Sequence, residues 1–200
     1  MNLNIIVRGY LYKKNWTPIS TAKIKYPNYT QDFRKLIKNY KKLFENLSKK
    51  YQVSITFTSY DTCPGFIKKI ISKNNWNLHL ISEESSTQFS SCCSYLNTVD
   101  DNVNLIIRSD LILEEKIINL LSNFDYQKCK KLTVLSKEPN RKLNDILFIV
   151  PPEIRLRLIE HLQKSLHGHK LSGMSVSCLD DKKWCVTQEN DYYQIYRGQP

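Results

Sequence analysis

The sequence predicts a single α/β domain in which a mostly parallel central sheet is flanked by helices. Strand-like and helix-like segments alternate through most of the 200 residues, an order typical of parallel strands joined by crossover helices. The segment 104–111, Asn-Leu-Ile-Ile-Arg-Ser-Asp-Leu, begins as an unbroken apolar run, as strands buried on both faces do. With 41% hydrophobic residues, a chain of this length can bury one full core.

The first 50 residues predict a strand, a loop and a long helix. Residues 3–10 are mostly apolar and strand-like, and the predicted strand ends at Arg8-Gly9. Residues 11–29 show no clear period and are predicted as a long loop, and loops of that length are usually functional or mobile. Residues 32–50 repeat apolar side chains every three or four positions, which predicts an amphipathic helix.

The next segments repeat the order of strand and then helix. Residues 52–60 alternate and are rich in β-branched side chains, which predicts a strand, and Pro64 suits the first turn of the helix after it. Residues 77–82 predict another strand, and the Ser-rich residues 83–97 predict a helix. The buried strand within 104–111 follows.

The last part of the chain predicts two more strands and two more helices before the pattern weakens. These are a helix at 113–122, a strand at 130–136, a strand at 146–150 that a Pro-Pro pair ends, and a helix at 152–166. Short strands are possible at 175–178, 184–187 and 193–196. We expect residues 1–170 to form the α/β domain and residues 171–200 to form a C-terminal extension packed on it.

Composition and charge narrow the class of protein. Lys and Arg outnumber Asp and Glu by 30 to 19, which gives a net charge of +11 and permits binding to nucleotide phosphates or nucleic acid. No apolar run is long enough to cross a bilayer and no secretory signal is evident, so we expect a cytoplasmic protein with reduced thiols. The six cysteines lack the short paired spacing of zinc sites.

A cation and a carboxylate, Arg108 and Asp110, stand two residues apart near the end of the central predicted strand. Residues at that spacing in a strand share a face, and open α/β sheets bind ligands at the carboxyl ends of their strands. Asp110 is a candidate ligand for a divalent cation, and the planar fork of Arg108 suits a diphosphate. An ordinary ion pair at a strand end is the alternative.

Common phosphate-binding signatures are missing. The chain contains no Gly-x-Gly-x-x-Gly and no Gly-x-x-x-x-Gly-Lys-Ser/Thr segment, and it has only five glycines. A nucleotide site would therefore depend on side chains, a metal or helix starts. Asp145 lies beside a predicted buried strand and could act as a general base or could merely cap a turn. His167 and His169 could supply a further ligand from the C-terminal part of the chain.

Several short motifs, taken in order, resemble those of a known enzyme group. They are Arg-Gly after the first strand, Thr-Ser-Tyr at the end of the second, a Gln in the Ser-rich segment, Ile-Ile-Arg-Ser-Asp-Leu, and Asn-Asp-Ile-Leu-Phe-Ile. Over residues 4–160 this order is similar to small GT-A-type glycosyltransferases of large DNA viruses and bacterial capsule clusters, chlorella-virus glycosyltransferase domains in particular. The resemblance implies a GT-A fold and a nucleotide-sugar donor, usually with Mn²⁺ or Mg²⁺ held against the donor diphosphate by an Asp-x-Asp motif.

The resemblance also implies roles for individual residues. Asp110 matches the last Asp of Asp-x-Asp, whereas Arg108 stands at the first Asp, so dependence on a metal stays open. The metal ligands would be Asp110 and His169, and the catalytic residue near the acceptor would be Asp145. The nucleotide-sugar donor would contact Arg8, Gly9, Ser59, Tyr60, Gln88 and Arg108.

The leading prediction is a glycosyltransferase that moves a hexosyl or deoxyhexosyl group from a nucleotide-diphosphate sugar to a glycan or glycoprotein acceptor. A non-enzymatic basic α/β module that binds nucleic acid is one alternative, because the charge is +11 and twelve tyrosines could stack on bases. A degenerate glycosyltransferase fold that serves as a scaffold is another, because the first Asp of the motif is replaced.

Overall fold

The computed structural model describes residues 1–16, 29–84, 89–99, 102–135, 146–164, 176–179 and 193–195. The strands are β1 (Asn2–Arg8), β2 (Tyr12–Trp16), β3 (Tyr29–Asp32), β4 (Gln52–Tyr60), β5 (Asn77–Ile81), β6 (Val103–Arg108), β7 (Leu111–Leu113), β8 (Leu132–Val134), β9 (Leu147–Val150), β10 (Val176–Cys178) and β11 (Tyr193–Ile195). The helices are α1 (Ile37–Ser48), α2 (Gly65–Lys73), α3 (Ser90–Leu96), α4 (Glu115–Asn123) and α5 (Pro152–Lys164), with 3-10 turns at Phe33–Lys35 and Tyr126–Lys128.

Seven strands form the central sheet in the order β10-β8-β9-β6-β1-β4-β5. β1 pairs in parallel with both β4 and β6, and β4 pairs in parallel with β5. β9 is antiparallel to both of its neighbours, β6 and β8, whereas β10 is parallel to β8. The chain therefore winds outward from β1 in one direction through β4 and β5 and then crosses to β6 on the other side, which makes β1 a topological switch point.

Side chains of the sheet alternate between two hydrophobic cores. Leu3, Ile5 and Val7 of β1 belong to the core that contains buried residues of α1, α2 and α4, whereas Ile6 belongs to the core that contains α3 and α5. Ile107 of β6 is fully buried in the first core. Burying a side chain of this size contributes about 1.5–3 kcal/mol relative to leaving it exposed, so both faces of the central strands hold the sheet in register.

The segment predicted as a loop at 11–29 differs from that prediction at both of its ends. Residues Tyr12–Trp16 and Tyr29–Asp32 pair as an antiparallel hairpin, with an irregularity between Lys13 and Trp16. The paired residues Tyr-Lys-Lys-Asn-Trp carry no apolar alternation, so the backbone pairing leaves no periodic signal in the sequence. Residues 17–28 lie outside the described part of the chain.

The C-terminal region contributes two short strands. β10 forms one edge of the central sheet, and β11 pairs with β7 in antiparallel register, Tyr193 opposite Leu113. The possible strand at 184–187 lies outside the described residues. Of the helices that the structure describes, none is both long and apolar enough to cross a membrane.

Candidate functional site

The site lies at the carboxyl ends of the strands next to the switch point. The last residue of β1, Arg8, is in register with Thr58 of β4 on one side and with Arg108 of β6 on the other. Adjacent strands lie about 4.8 Å apart, so two arginines stand side by side at this edge. Arg8 is buried, with its guanidinium carbon 4.2 Å from the centre of the Phe89 ring. Arg108 reaches the surface, with 18% of its side chain exposed.

Gly9 allows the turn after β1 to press against the turn after β6. Its φ is +115°, and a Cβ at this position would lie 3.1 Å from Oγ of Ser109. The Gly9 amide donates to the Thr58 carbonyl at 3.1 Å. The Ser109 amide donates to the Arg8 carbonyl at 2.9 Å, and Oγ of Ser109 donates to the Tyr10 carbonyl at 2.9 Å. Glycine is thus required both for the backbone conformation and for this close approach.

Arg108 and Asp110 bind each other through a two-point contact. Nε of Arg108 donates to Oδ1 of Asp110 at 2.9 Å, and Nη2 donates to Oδ2 at 2.5 Å. The carboxylate lies deeper than the guanidinium, because 6% of the Asp110 side chain is exposed compared with 18% for Arg108. β6 ends at Arg108 and a turn follows, so the two side chains meet across a turn and not along one face of a strand as predicted.

The main chain that carries this pair is fixed by buried polar groups. The Tyr40 hydroxyl donates to the Arg108 carbonyl. Burial of Tyr40, together with the negative charge of Asp110, raises the pKa of the Tyr40 phenol well above its usual value, so the hydroxyl keeps its proton. Gln31, which is fully buried, donates through Nε2 to the Ser109 carbonyl at 3.3 Å. These contacts hold residues 108–110 from the side of α1 and from the hairpin.

A polar cluster next to Arg8 occupies the ends of β1, β4 and β5. The rings of Tyr10 and Tyr60 are 4.6 Å apart. The Glu83 carboxylate accepts hydrogen bonds from Tyr10 at 2.7 Å, Lys13 at 2.6 Å and Thr62 at 2.6 Å. Partial burial alone would raise the pKa of Glu83, but these hydrogen bonds outweigh it and lower the pKa from 4.5 to about 2. Glu83 is therefore ionised at every physiological pH.

The structure brings together six of the predicted site residues, all at one edge of the sheet. Ser59 and Tyr60, both buried, end β4 beside β1. The residues that share this edge are Arg8, Gly9, Ser59, Tyr60, Arg108 and Asp110. The predicted roles of Gln88, Asp145 and His169 fall on residues outside the described part of the chain, and these roles stay predictions.

Four further residues complete this edge and were not predicted from the sequence, namely Tyr10, Lys13, Gln31 and Glu83. Tyr10 follows the Arg-Gly motif directly and Lys13 lies a few residues further on, so their position in the sequence could have indicated them. Gln31 and Glu83 reach the site from separate parts of the chain and carry no local pattern, so only the fold reveals them.

The described residues do not fit a resident divalent cation at Asp110. Such ions take several oxygen ligands from the protein, and both oxygens of Asp110 already accept hydrogen bonds from Arg108. Across the ranges that the structure describes, no group of three or more His, Cys, Asp or Glu side chains is arranged to hold a metal ion. A cation at Asp110 would also have to lie beside the positive charge of Arg108.

No protein-family model and no curated protein matches the chain. Among solved structures, the fold is similar to that of a mannosyltransferase from Pyrobaculum calidifontis in complex with GDP-Man and Mn²⁺, with a TM-score of 0.52 and 10% identity over 88% of this chain. The chain spans about half the length of that enzyme, 54%. A 4-diphosphocytidyl-2C-methyl-D-erythritol synthase from Anaerococcus prevotii matches 88% of this chain and 85% of its own, with a TM-score of 0.49 and 12% identity.

The similarity to the mannosyltransferase agrees with the α/β architecture described above. The predicted fold is confirmed: the chain is an α/β protein with a mostly parallel seven-stranded sheet flanked by helices, and its fold is GT-A-like. At 10% identity, the similarity to the mannosyltransferase shows a shared fold and nothing about activity. The kinship with viral and capsule enzymes stays a prediction.

Proposed function

We propose that the chain is a glycosyltransferase that transfers a hexosyl or deoxyhexosyl group from a nucleoside-diphosphate sugar to a glycan or glycoprotein acceptor. The observation that carries the proposal is the register of Arg8 with Arg108 at the carboxyl ends of β1 and β6. This is the switch point of the sheet, where open α/β folds bind their ligands. Arginine forks are suited to phosphate oxygens.

The neighbouring groups suit the remaining parts of a donor. The rings of Tyr10 and Tyr60 lie beside Arg8 at the ends of β1 and β4, where a nucleoside attached to a diphosphate at Arg108 would reach. Lys13 adds a cation, with Nζ 4.0 Å from the centre of the Tyr10 ring. We assign the diphosphate to Arg108 with the charge of Arg8 behind it, and the nucleoside to the side of Tyr60 and Ser59.

In the proposed reaction, an acceptor hydroxyl oxygen forms a bond to the anomeric carbon of the sugar while the bond from that carbon to the donor phosphate oxygen breaks. The nucleoside diphosphate leaves with the electron pair. The arginine at the surface stabilises the negative charge that develops on the leaving phosphate. Asp145 is proposed as the base that accepts the hydroxyl proton, and Gln88 as a further polar contact to the donor.

The test is a binding and product assay on purified protein. A thermal-shift panel compares UDP, GDP, CMP and dTDP with the corresponding nucleotide sugars, because a ligand at a hundredfold its Kd adds about 2.7 kcal/mol of stability. In the product assay, the proposed transfer releases a nucleoside diphosphate from the sugar donor, whereas nucleotidyl transfer would release pyrophosphate from a nucleoside triphosphate supplied with a sugar phosphate. A selective shift with release of nucleotide supports the proposal.

Other outcomes of the same panel would overturn it. Release of pyrophosphate would assign the fold to nucleotidyl transfer. No shift with any nucleotide, together with RNA or DNA binding that falls steeply as salt rises, would favour the basic-module alternative. No binding to nucleotides or nucleic acids would leave the scaffold alternative.

A further inference from the structure

The Arg108–Asp110 pair occupies the position where the resemblance places a metal-binding Asp-x-Asp motif. Two aspartates and one divalent cation have a formal charge of zero, and so do one arginine and one aspartate. The two-point contact of 2.9 and 2.5 Å therefore gives this position the same net charge without a metal. It also fixes the guanidinium in one orientation, as bidentate arginine–carboxylate contacts do.

The depth of the two groups decides which of them meets a ligand. The carboxylate is the more shielded member of the pair and the guanidinium is the more exposed. A negatively charged diphosphate that approaches from solvent thus meets the cationic member first. A metal ion that approached Asp110 would have to displace a charge-assisted hydrogen bond from each carboxylate oxygen.

The backbone around the pair is held firmly enough to keep this arrangement. Ser109, between the two residues, is tied through its amide and its hydroxyl to the carbonyls of Arg8 and Tyr10. The Tyr40 hydroxyl holds the Arg108 carbonyl. A charged group placed in advance where phosphate charge must be stabilised needs no rearrangement when the ligand arrives.

We propose that Arg108 takes the place of the divalent cation, so that the protein binds the diphosphate of its nucleotide ligand without a metal while Asp110 positions the guanidinium. This inference rests on the proposed function. Asp110 is then a positioning residue and not a metal ligand. The ligand would be a nucleoside diphosphate, or its sugar ester, with no divalent cation bound to it.

The experiment is isothermal titration of UDP, GDP and dTDP into the full chain, once in EDTA and once in Mn²⁺. For the nucleotide that binds, we expect the two Kd values to agree within about twofold. Arg108→Gln is expected to weaken binding in EDTA by about tenfold to a hundredfold, the range for a lost charge-assisted hydrogen bond. Arg157→Gln, which removes an exposed arginine from α5, should leave the Kd unchanged.

A reversal of metal dependence gives the sharpest result. The Arg108→Asp variant should not bind the nucleotide in EDTA but should bind it in Mn²⁺, because the substitution creates an Asp-x-Asp segment. If this variant fails to fold, Arg108→Lys keeps the charge without the fork and should bind in EDTA more weakly than the native protein but independently of Mn²⁺.

The outcomes separate this inference from the proposed function. Native binding that requires Mn²⁺ would overturn the metal-free inference and leave the transferase proposal intact. An unchanged Kd for Arg108→Gln in EDTA would also overturn it. An absence of nucleotide binding in both buffers would overturn the proposed function itself, and the inference with it.

Discussion

Replacing Gly9 with alanine tests the close approach on which the site geometry depends. The φ of +115° is a conformation that a residue with a Cβ adopts only with strain, at a cost of about 1–3 kcal/mol. The new Cβ would lie 3.1 Å from Oγ of Ser109, so that hydroxyl has to shift slightly, which weakens its hydrogen bond to the Tyr10 carbonyl, a contact worth about 1 kcal/mol. We expect Gly9→Ala to lower the free energy of unfolding by about 2–4 kcal/mol.

The matched control is Gly65→Ala at the start of α2. A Cβ at Gly65 meets nothing within 4 Å, and its φ lies outside the positive range. Alanine is the better helix former by up to about 1 kcal/mol, so this variant should be neutral or slightly more stable. The two variants add the same methyl group and differ in the backbone φ that carries it and in the space that it meets.

Urea unfolding followed by circular dichroism measures both variants. With an m-value of about 2–3 kcal/mol/M for a chain of this size, Gly9→Ala should lower the midpoint by about 1 M or more. A loss below about 0.5 kcal/mol for Gly9→Ala, or equal losses for both variants, would refute the geometry of the turn. Adding Ser109→Gly to Gly9→Ala should recover only the part of the loss that arises from the contact, since the strain in φ remains.

Two further predictions concern buried and charged groups. Because the pKa of Glu83 falls from 4.5 to about 2 on folding, its stabilising contribution is complete above pH 4.5 and is lost as the pH falls toward 2. The difference in unfolding free energy between the native protein and Glu83→Gln should therefore shrink over that range. An equal difference at neutral pH and near pH 2 would contradict this prediction. Burial raises the pKa of the Cys92 thiol to about 12, so iodoacetamide at pH 8 should label Cys92 in the native protein more than about tenfold more slowly than the half-buried Cys178. Peptide mass spectrometry measures labelling at both cysteines, and equal rates would show that the hydrophobic core that contains α3 and α5 opens readily.

The order of elements was predictable from the sequence because most of them carry a clear hydrophobic period. β4 alternates between exposed and half-buried positions over its first four residues and is buried throughout its last five. α1 keeps the predicted three-to-four spacing but begins at Ile37, after a 3-10 turn, and not at residue 32. The direction of β9 was not predictable, since an apolar run reads the same whether the strand is parallel or antiparallel. The β2–β3 pair was missed because Tyr-Lys-Lys-Asn-Trp carries no apolar alternation, although Tyr12 packs on the hydrophobic core in the folded chain.

Within the candidate site, the sequence identified single residues better than it identified their relationships. Two interpretations of Arg108 and Asp110 were open, a shared ligand or an ordinary ion pair, and the structure shows that the two side chains bind each other. Glu83 joins the site because β5 ends next to β4, a neighbourhood that no local motif encodes. Contacts of this kind depend on the strand order, which only the fold supplies.

The central claim is that a nucleotide binds at the carboxyl ends of β1, β4 and β6, and hydrogen–deuterium exchange of the full chain tests it most directly. With the nucleoside diphosphate that gives the largest thermal shift, amides of residues 8–13, 58–62 and 108–111 should exchange more slowly than without it. Protection confined to the groove between α4 and β10, which Lys116, Leu120 and Leu179 line, would place the ligand elsewhere and contradict the account. Unchanged exchange at every peptide would contradict nucleotide binding itself.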